Sequence, residues 1–149
     1  LVVDLEADDE EIRAEQLMGT ETSYYRLLWD YAMGNPAVAV HFWRESLRMD
    51  PEGDAHVQLF SAPDTHDIER LPDATVFALR AVIALEWSTE ADLVAATNQS
   101  ATEVESAMRY ATFRGYVEQQ EGRYRVRWTW FRAITGVLER RHFLRPVGR

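Results

Sequence analysis

Side chains able to act on a ligand are few and scattered along this chain. His41 and Glu45 are four residues apart, which puts both on one helical face, and His66 stands near Asp64 and Glu69. Each set offers ligands to a metal ion, but neither has a third at a suitable spacing, so solvated polar side chains are expected and no metal site is predicted. No serine or threonine stands in a nucleophile motif, and Ser88 and Ser100 fall where helices need caps. No catalytic residue is therefore predicted. All 16 basic residues are arginine and none is lysine, so no phosphate loop of the G-x-x-x-x-G-K-[ST] kind can be written around any of the seven glycines. No cofactor site is expected within these residues. Trp29, Trp43, Trp87, Trp128 and Trp130 stand mostly at core-facing spacing and read as packing rather than as platforms for bases.

What remains is arginine, and its placement is uneven. The 149 residues hold 16 Arg against 25 acids, a net charge of −9. From Arg123 to Arg149 there are eight Arg and one acid, Glu139, giving +7, so the preceding residues carry −16. Such polarity predicts either a basic contact surface near the C-terminus or an internal match between acidic and basic parts, and the internal or merely solvated reading is preferred. Within the basic part Arg123, Arg125 and Arg127 alternate with Tyr124, Val126 and Trp128, so a strand there would have one apolar face and one row of arginines. The acidic total lowers the expectation of nucleic-acid binding, which rests on neutralising phosphates.

The absence of cysteine excludes a disulfide scaffold and thiolate metal sites. No apolar run approaches the ~20 residues that span a bilayer, and Leu1–Glu15 is acidic where a signal peptide would be basic and then apolar. A soluble, cytoplasmic protein with no membrane contact is expected. Because the first residue is Leu1 and not Met, the chain is expected to be part of a longer protein.

The periodicities predict a mainly helical protein. Asp8 to about Met18 reads as a helix ended by Gly19, and Thr22–Met33 as a second with Tyr24, Leu27, Leu28 and Tyr31 buried. Gly34 can take the left-handed conformation, Asn35 can cap the next helix, and Pro36 suits a first helical position, so two helices meet at a tight corner. The helix after the corner runs to about Arg48, burying Val38, Ala39, Phe42, Trp43 and Leu47. His56–Phe60 alternates like a short strand, and Ser61–Pro72 reads as a linker. The predicted organisation is a helical subdomain over 1–60, a linker over 61–72, and a second domain over 73–149.

In the second domain Asp73 is expected to cap a helix to about Glu86, followed by an extended Trp87. Ser88 or Thr89 then caps a short helix to Ala96. Ser100-Ala101-Thr102-Glu103 matches a capping box, starting a helix with Val104, Ala107, Met108 and Ala111 inward and ending at Gly115. Tyr116–Gln120 and Arg123–Trp128 form a hairpin across Glu121-Gly122. A last helix, about Thr129 to His142, buries Trp130, Phe131, Ile134, Val137 and Leu138.

Helix, short strand, helix, turn, helix and hairpin is an order that resembles a winged-helix domain over about Asp73–Trp128, with Phe113-Arg114-Gly115-Tyr116-Val117-Glu118 similar to the junction of its third helix and wing. That resemblance implies Thr102, Ser106 and Arg109 on the helix and Arg123, Arg125 and Arg127 on the wing as residues facing DNA or a protein partner. Glu103 and Glu105 on the same helix would repel phosphates, which favours a protein. Upstream, Trp29-Asp30-Tyr31-Ala32-Met33-Gly34-Asn35-Pro36-Ala37-Val38-Ala39 resembles the helical lid of AAA+ ATPases of the origin-recognition type, where a winged helix follows the lid. The resemblance implies a non-catalytic C-terminal module, with ATP and Mg held by the parent's ATPase domain, its first expected partner. The family's lid often has a nucleotide-sensing Arg after the Pro, whereas Ala37 stands here and Arg44 lies two turns on. The alternative is a winged-helix DNA-binding regulator, for which the arginine row is the discriminating feature. Neither reading specifies an oligomeric state.

Overall fold

The computed structural model describes residues 10–141, with side chains from residue 19 onward. Asp8, Asp9, His142, Arg145 and Arg149, which belong to the predicted helices and charge clusters, lie outside the described residues. Among the described residues there are six α-helices and two small antiparallel hairpins, a mainly helical protein. The chain divides between Ala62 and Pro63 into two compact units.

In unit 1 the first helix, α1 (Glu10–Tyr31), is continuous. The predicted break at Gly19 is absent. A glycine ends a helix by adopting positive φ, and Gly19 stays helical in open space, with the Ser23 hydroxyl donating to its carbonyl at 2.7 Å. The break comes instead at Met33 and Gly34, with φ of +54° and +73°. Asn35 then accepts from the Ala37 N–H at 3.0 Å and the Val38 N–H at 3.4 Å, and Pro36 opens α2 (Pro36–Ser46).

The small core of unit 1 is Leu28, Ala32, Val38 and Phe42, with the Phe42 ring packed on Tyr31 at 4.8 Å and Phe60 at 5.1 Å. Leu27, expected inside, is exposed, because the buried stripe passes through Leu28 and Ala32. Trp43 is also exposed, and Ser46 takes the buried position one turn beyond Phe42. The helix ends early because Leu47–Met49 becomes strand β1, paired with β2 (Ala55–Val57). The expected strand at His56–Phe60 is thus shifted and shortened, and its partner lies where a helix end and a breaker are predicted.

Unit 2 begins inside the expected linker. A 3-10 turn at Ile68–Arg70 inserts Ile68, and then Leu71, into the core, so the acidic stretch is anchored by two apolar side chains. Helix α3 (Asp73–Leu85) starts with Pro72 in the cap position. Asp73 is its first residue and makes no cap bond. Thr89 caps α4 (Glu90–Thr97) and Ser100 caps α5 (Ala101–Phe113), each in a reciprocal capping box, with Asp92 and Glu103 respectively. Ser88 caps nothing. Its backbone pairs on both sides with Tyr124, at 2.8 and 3.1 Å, and its hydroxyl is buried without a partner.

Strands β3 (Val117–Gln120) and β4 (Arg123–Val126) join through Glu121-Gly122, both at positive φ as a two-residue hairpin turn requires. The expected second strand is shorter than predicted, since Trp128 already begins α6 (Trp128–Arg140). One continuous core runs through α3, α4, α5, the hairpin and α6. It includes Val76, Leu79, Leu93, Met108, Tyr116 and Leu138.

Candidate functional site

The exposed face of α5 and the adjoining hairpin hold the residues with contact potential. Val104, Ala107, Met108 and Ala111 are buried as expected, which turns Thr102, Ser106, Arg109 and Phe113 outward on one stripe. Phe113 is 85% exposed and Tyr110 39%, two aromatic side chains on the surface of a well-packed unit. Arg109 bonds Glu105 one turn back, so the cation of this helix is already neutralised by its neighbour. Glu103 holds the start of α5. Its Oε2 accepts from the Ser100 N–H at 2.8 Å and from the Ser100 hydroxyl at 2.7 Å, and these bonds keep its carboxyl below the usual range.

The three arginines of the expected row have different fates. Arg125 lies between the rings of Trp87 and Trp128, 4.7 and 4.8 Å from their centroids, and its guanidinium binds Glu118 across the hairpin. Arg123 is exposed at the turn, close enough to Asp92 to help hold that carboxyl low, after the larger effect of the Thr89 bonds. Arg127 is exposed at the cap position of α6, outside β4. The row is broken because the strand ends at Val126, and its middle member is consumed by aromatic and acidic partners. The Glu118 partner was readable in advance. A two-residue turn at Glu121-Gly122 sets residue 118 opposite 125. The tryptophan sandwich was not readable, because Trp87 arrives through the Ser88–Tyr124 pairing.

Other arginines are also matched internally. Arg114 binds Asp67 and depresses its carboxyl, chiefly through that hydrogen bond. At the end of α6, Arg140 binds Glu69, and Arg141 donates to the Leu71 carbonyl at 2.9 Å, the Glu69 carbonyl at 2.6 Å and Asp73 at 3.3 Å. Beneath the hairpin, burial and then a 2.9 Å bond to Glu90 push the Tyr124 phenol up to about 12.

In unit 1 the corner residues Gly34, Asn35 and Pro36 are placed as a helix–helix turn. Among the described residues no three His, Asp or Glu side chains converge as a metal site would need, and no helix is long and apolar enough to cross a membrane. His41 and Glu45 lie on α2, and His66 donates its backbone N–H to Asp64 Oδ1 at 3.0 Å. No family model, curated protein or solved structure matches this chain at a significant level.

Proposed function

We propose that this chain is a non-catalytic regulatory and interaction module of an AAA+ type ATPase, with unit 1 as the helical lid and unit 2 as a winged helix. In this reading the lid follows the nucleotide state of the parent's ATPase domain, where ATP and Mg are held, and the winged helix passes that movement to a protein partner. The observation that carries it is the pairing of Ser88 with Tyr124. It sets a third extended segment beside the hairpin, between α3 and α4, in the order a winged helix uses its strands. The glycine–asparagine–proline corner adds support upstream, with Asn35 capping α2 as a lid corner would. A protein partner is favoured over DNA because Arg125, Arg109 and Arg114 are already engaged with Glu118, Glu105 and Asp67.

Two measurements test this reading. The coding sequence upstream of Leu1 is expected to contain a phosphate loop and an acidic metal-binding strand, and a translational start a few residues away would overturn it. Duplex DNA at low salt is expected not to bind. Affinity that falls steeply with salt and vanishes in an Arg123→Ala, Arg127→Ala double variant would establish the DNA-binding regulator instead.

A further inference from the structure

A groove of about 450 Å3 runs between α3 and α5, walled by Pro72, Ala74, Ala107 and Tyr110 with Thr75 at its side. Its polar rim is Ser106 and Glu103, and that carboxylate is the charged group among the lining residues. Both capping bonds of Glu103 fall on Oε2, which leaves Oε1 to accept from an incoming donor. The groove thus combines apolar walls, an exposed tyrosine ring and a carboxylate with one oxygen outside the capping box.

We propose that this groove receives an arginine side chain from a protein segment, with an apolar neighbour of that arginine resting on Phe113. The aliphatic stem of arginine suits the Pro72, Ala74 and Ala107 walls, and its planar guanidinium suits a carboxylate beside a tyrosine ring. The Glu103 carboxylate attracts such a side chain and repels the phosphates of a nucleic acid. Phe113, 85% exposed on the same stripe of α5 as Ser106, supplies the apolar contact that free arginine would lack. This inference rests on the reading of unit 2 as a protein-contact module and does not depend on kinship to ATPases.

The test monitors the backbone amides of the full chain by NMR while acetyl-Leu-Arg-Leu-amide is added. Saturable shifts are expected at Glu103, Ser106, Ala107 and Tyr110. Replacing the peptide's arginine by citrulline, or Glu103 by Gln, should weaken binding about tenfold, the worth of one charge-assisted hydrogen bond. Glu103→Gln retains an acceptor for the capping box, so with α5 shown intact by circular dichroism a loss of binding reports the missing charge. Ser106→Trp, at an exposed helix position, should fill the groove and abolish the shifts. The inference fails if the shifts are absent, if they survive both neutral replacements, or if free arginine amide binds as tightly as the peptide. A DNA duplex that displaces the peptide would overturn the protein-contact reading as well, whereas failure of the peptide alone leaves that reading standing.

Discussion

Residues 1–62 carry 13 acids against 4 arginines, while residues 63–149 carry 12 of each. The balanced unit uses its charges against one another, in the Asp67–Arg114, Glu118–Arg125, Glu69–Arg140 and Asp73–Arg141 pairs. Among the described residues of the acidic unit, Asp50 is hydrogen-bonded to the His56 ring at 2.7 Å within the β1–β2 hairpin. The apolar side chains differ in the same sense. Unit 2 builds one core through four helices and a hairpin, whereas unit 1 leaves Tyr25, Leu27, Trp29, Val40 and Trp43 exposed around a core of a few residues. A unit of two helices and a short hairpin has too little interior to enclose so many large side chains, and four arginines cannot balance its thirteen acids. The contrast separates a unit that pairs many of its charges around one core from a unit whose described residues leave large side chains exposed.

The largest expected effect concerns the core. Leu79→Ala removes a fully buried side chain of unit 2 and should cost about 3 kcal/mol by urea denaturation, while Trp43→Ala in unit 1 should stay within about 1 kcal/mol. Equal losses at the two sites would break the contrast. Next come two glycines of unit 1. Gly34→Ala forces a side chain into φ of +73° and should destabilise by about 1–2 kcal/mol, whereas Gly19→Ala should stabilise by about 0.5–1 kcal/mol because that site is helical. Opposite signs in thermal melts would sharpen the account of α1 as one helix.

The capping boxes of unit 2 give a further test. Ser100→Ala should cost about 1 kcal/mol in denaturant titration. The Asp92 and Glu103 carboxyls are held low in the folded state, so their contribution is present above the unfolded values of 3.8 and 4.5 and is lost as pH falls through the folded ones. Ser100→Ala should therefore flatten the acid limb of the stability curve, and an unchanged limb would show that Glu103 gains nothing from the cap. Smaller still is the difference between neighbouring arginines. Arg125→Ala should cost about 1 kcal/mol through its lost ring contacts and alter Trp emission, while Arg123→Ala should fall within about 0.5 kcal/mol.

Local signals carried much of this fold. The Ser100–Glu103 box, the α5 stripe, the Asn35 corner and the two-residue turn each depend on groups within a few residues, so spacing alone predicts them. Gly19 shows where such reasoning stops, because a glycine signal is the same inside a helix as at its end until φ is known. The candidate site was legible as far as which α5 residues face outward, namely Thr102, Ser106 and Arg109. Phe113 lay at that helix's end without a sign of its exposure.

The division has a physical cause. Charge polarity, helical content, caps and hairpin register derive from composition and short-range periodicity, and all were present in the order of residues. The use of each charge was decided by contacts across long stretches of chain. Arg140 and Arg141 meet the segment around Glu69 some 70 residues earlier because Ile68 and Leu71 are drawn into the core with Ile134, Val137 and Leu138. Hydrophobic burial, which is non-directional, brings those segments together, and only then can an arginine find its acid. The same packing turned an expected linker into a structural element and an expected row of arginines along one strand face into one engaged side chain and two exposed ones.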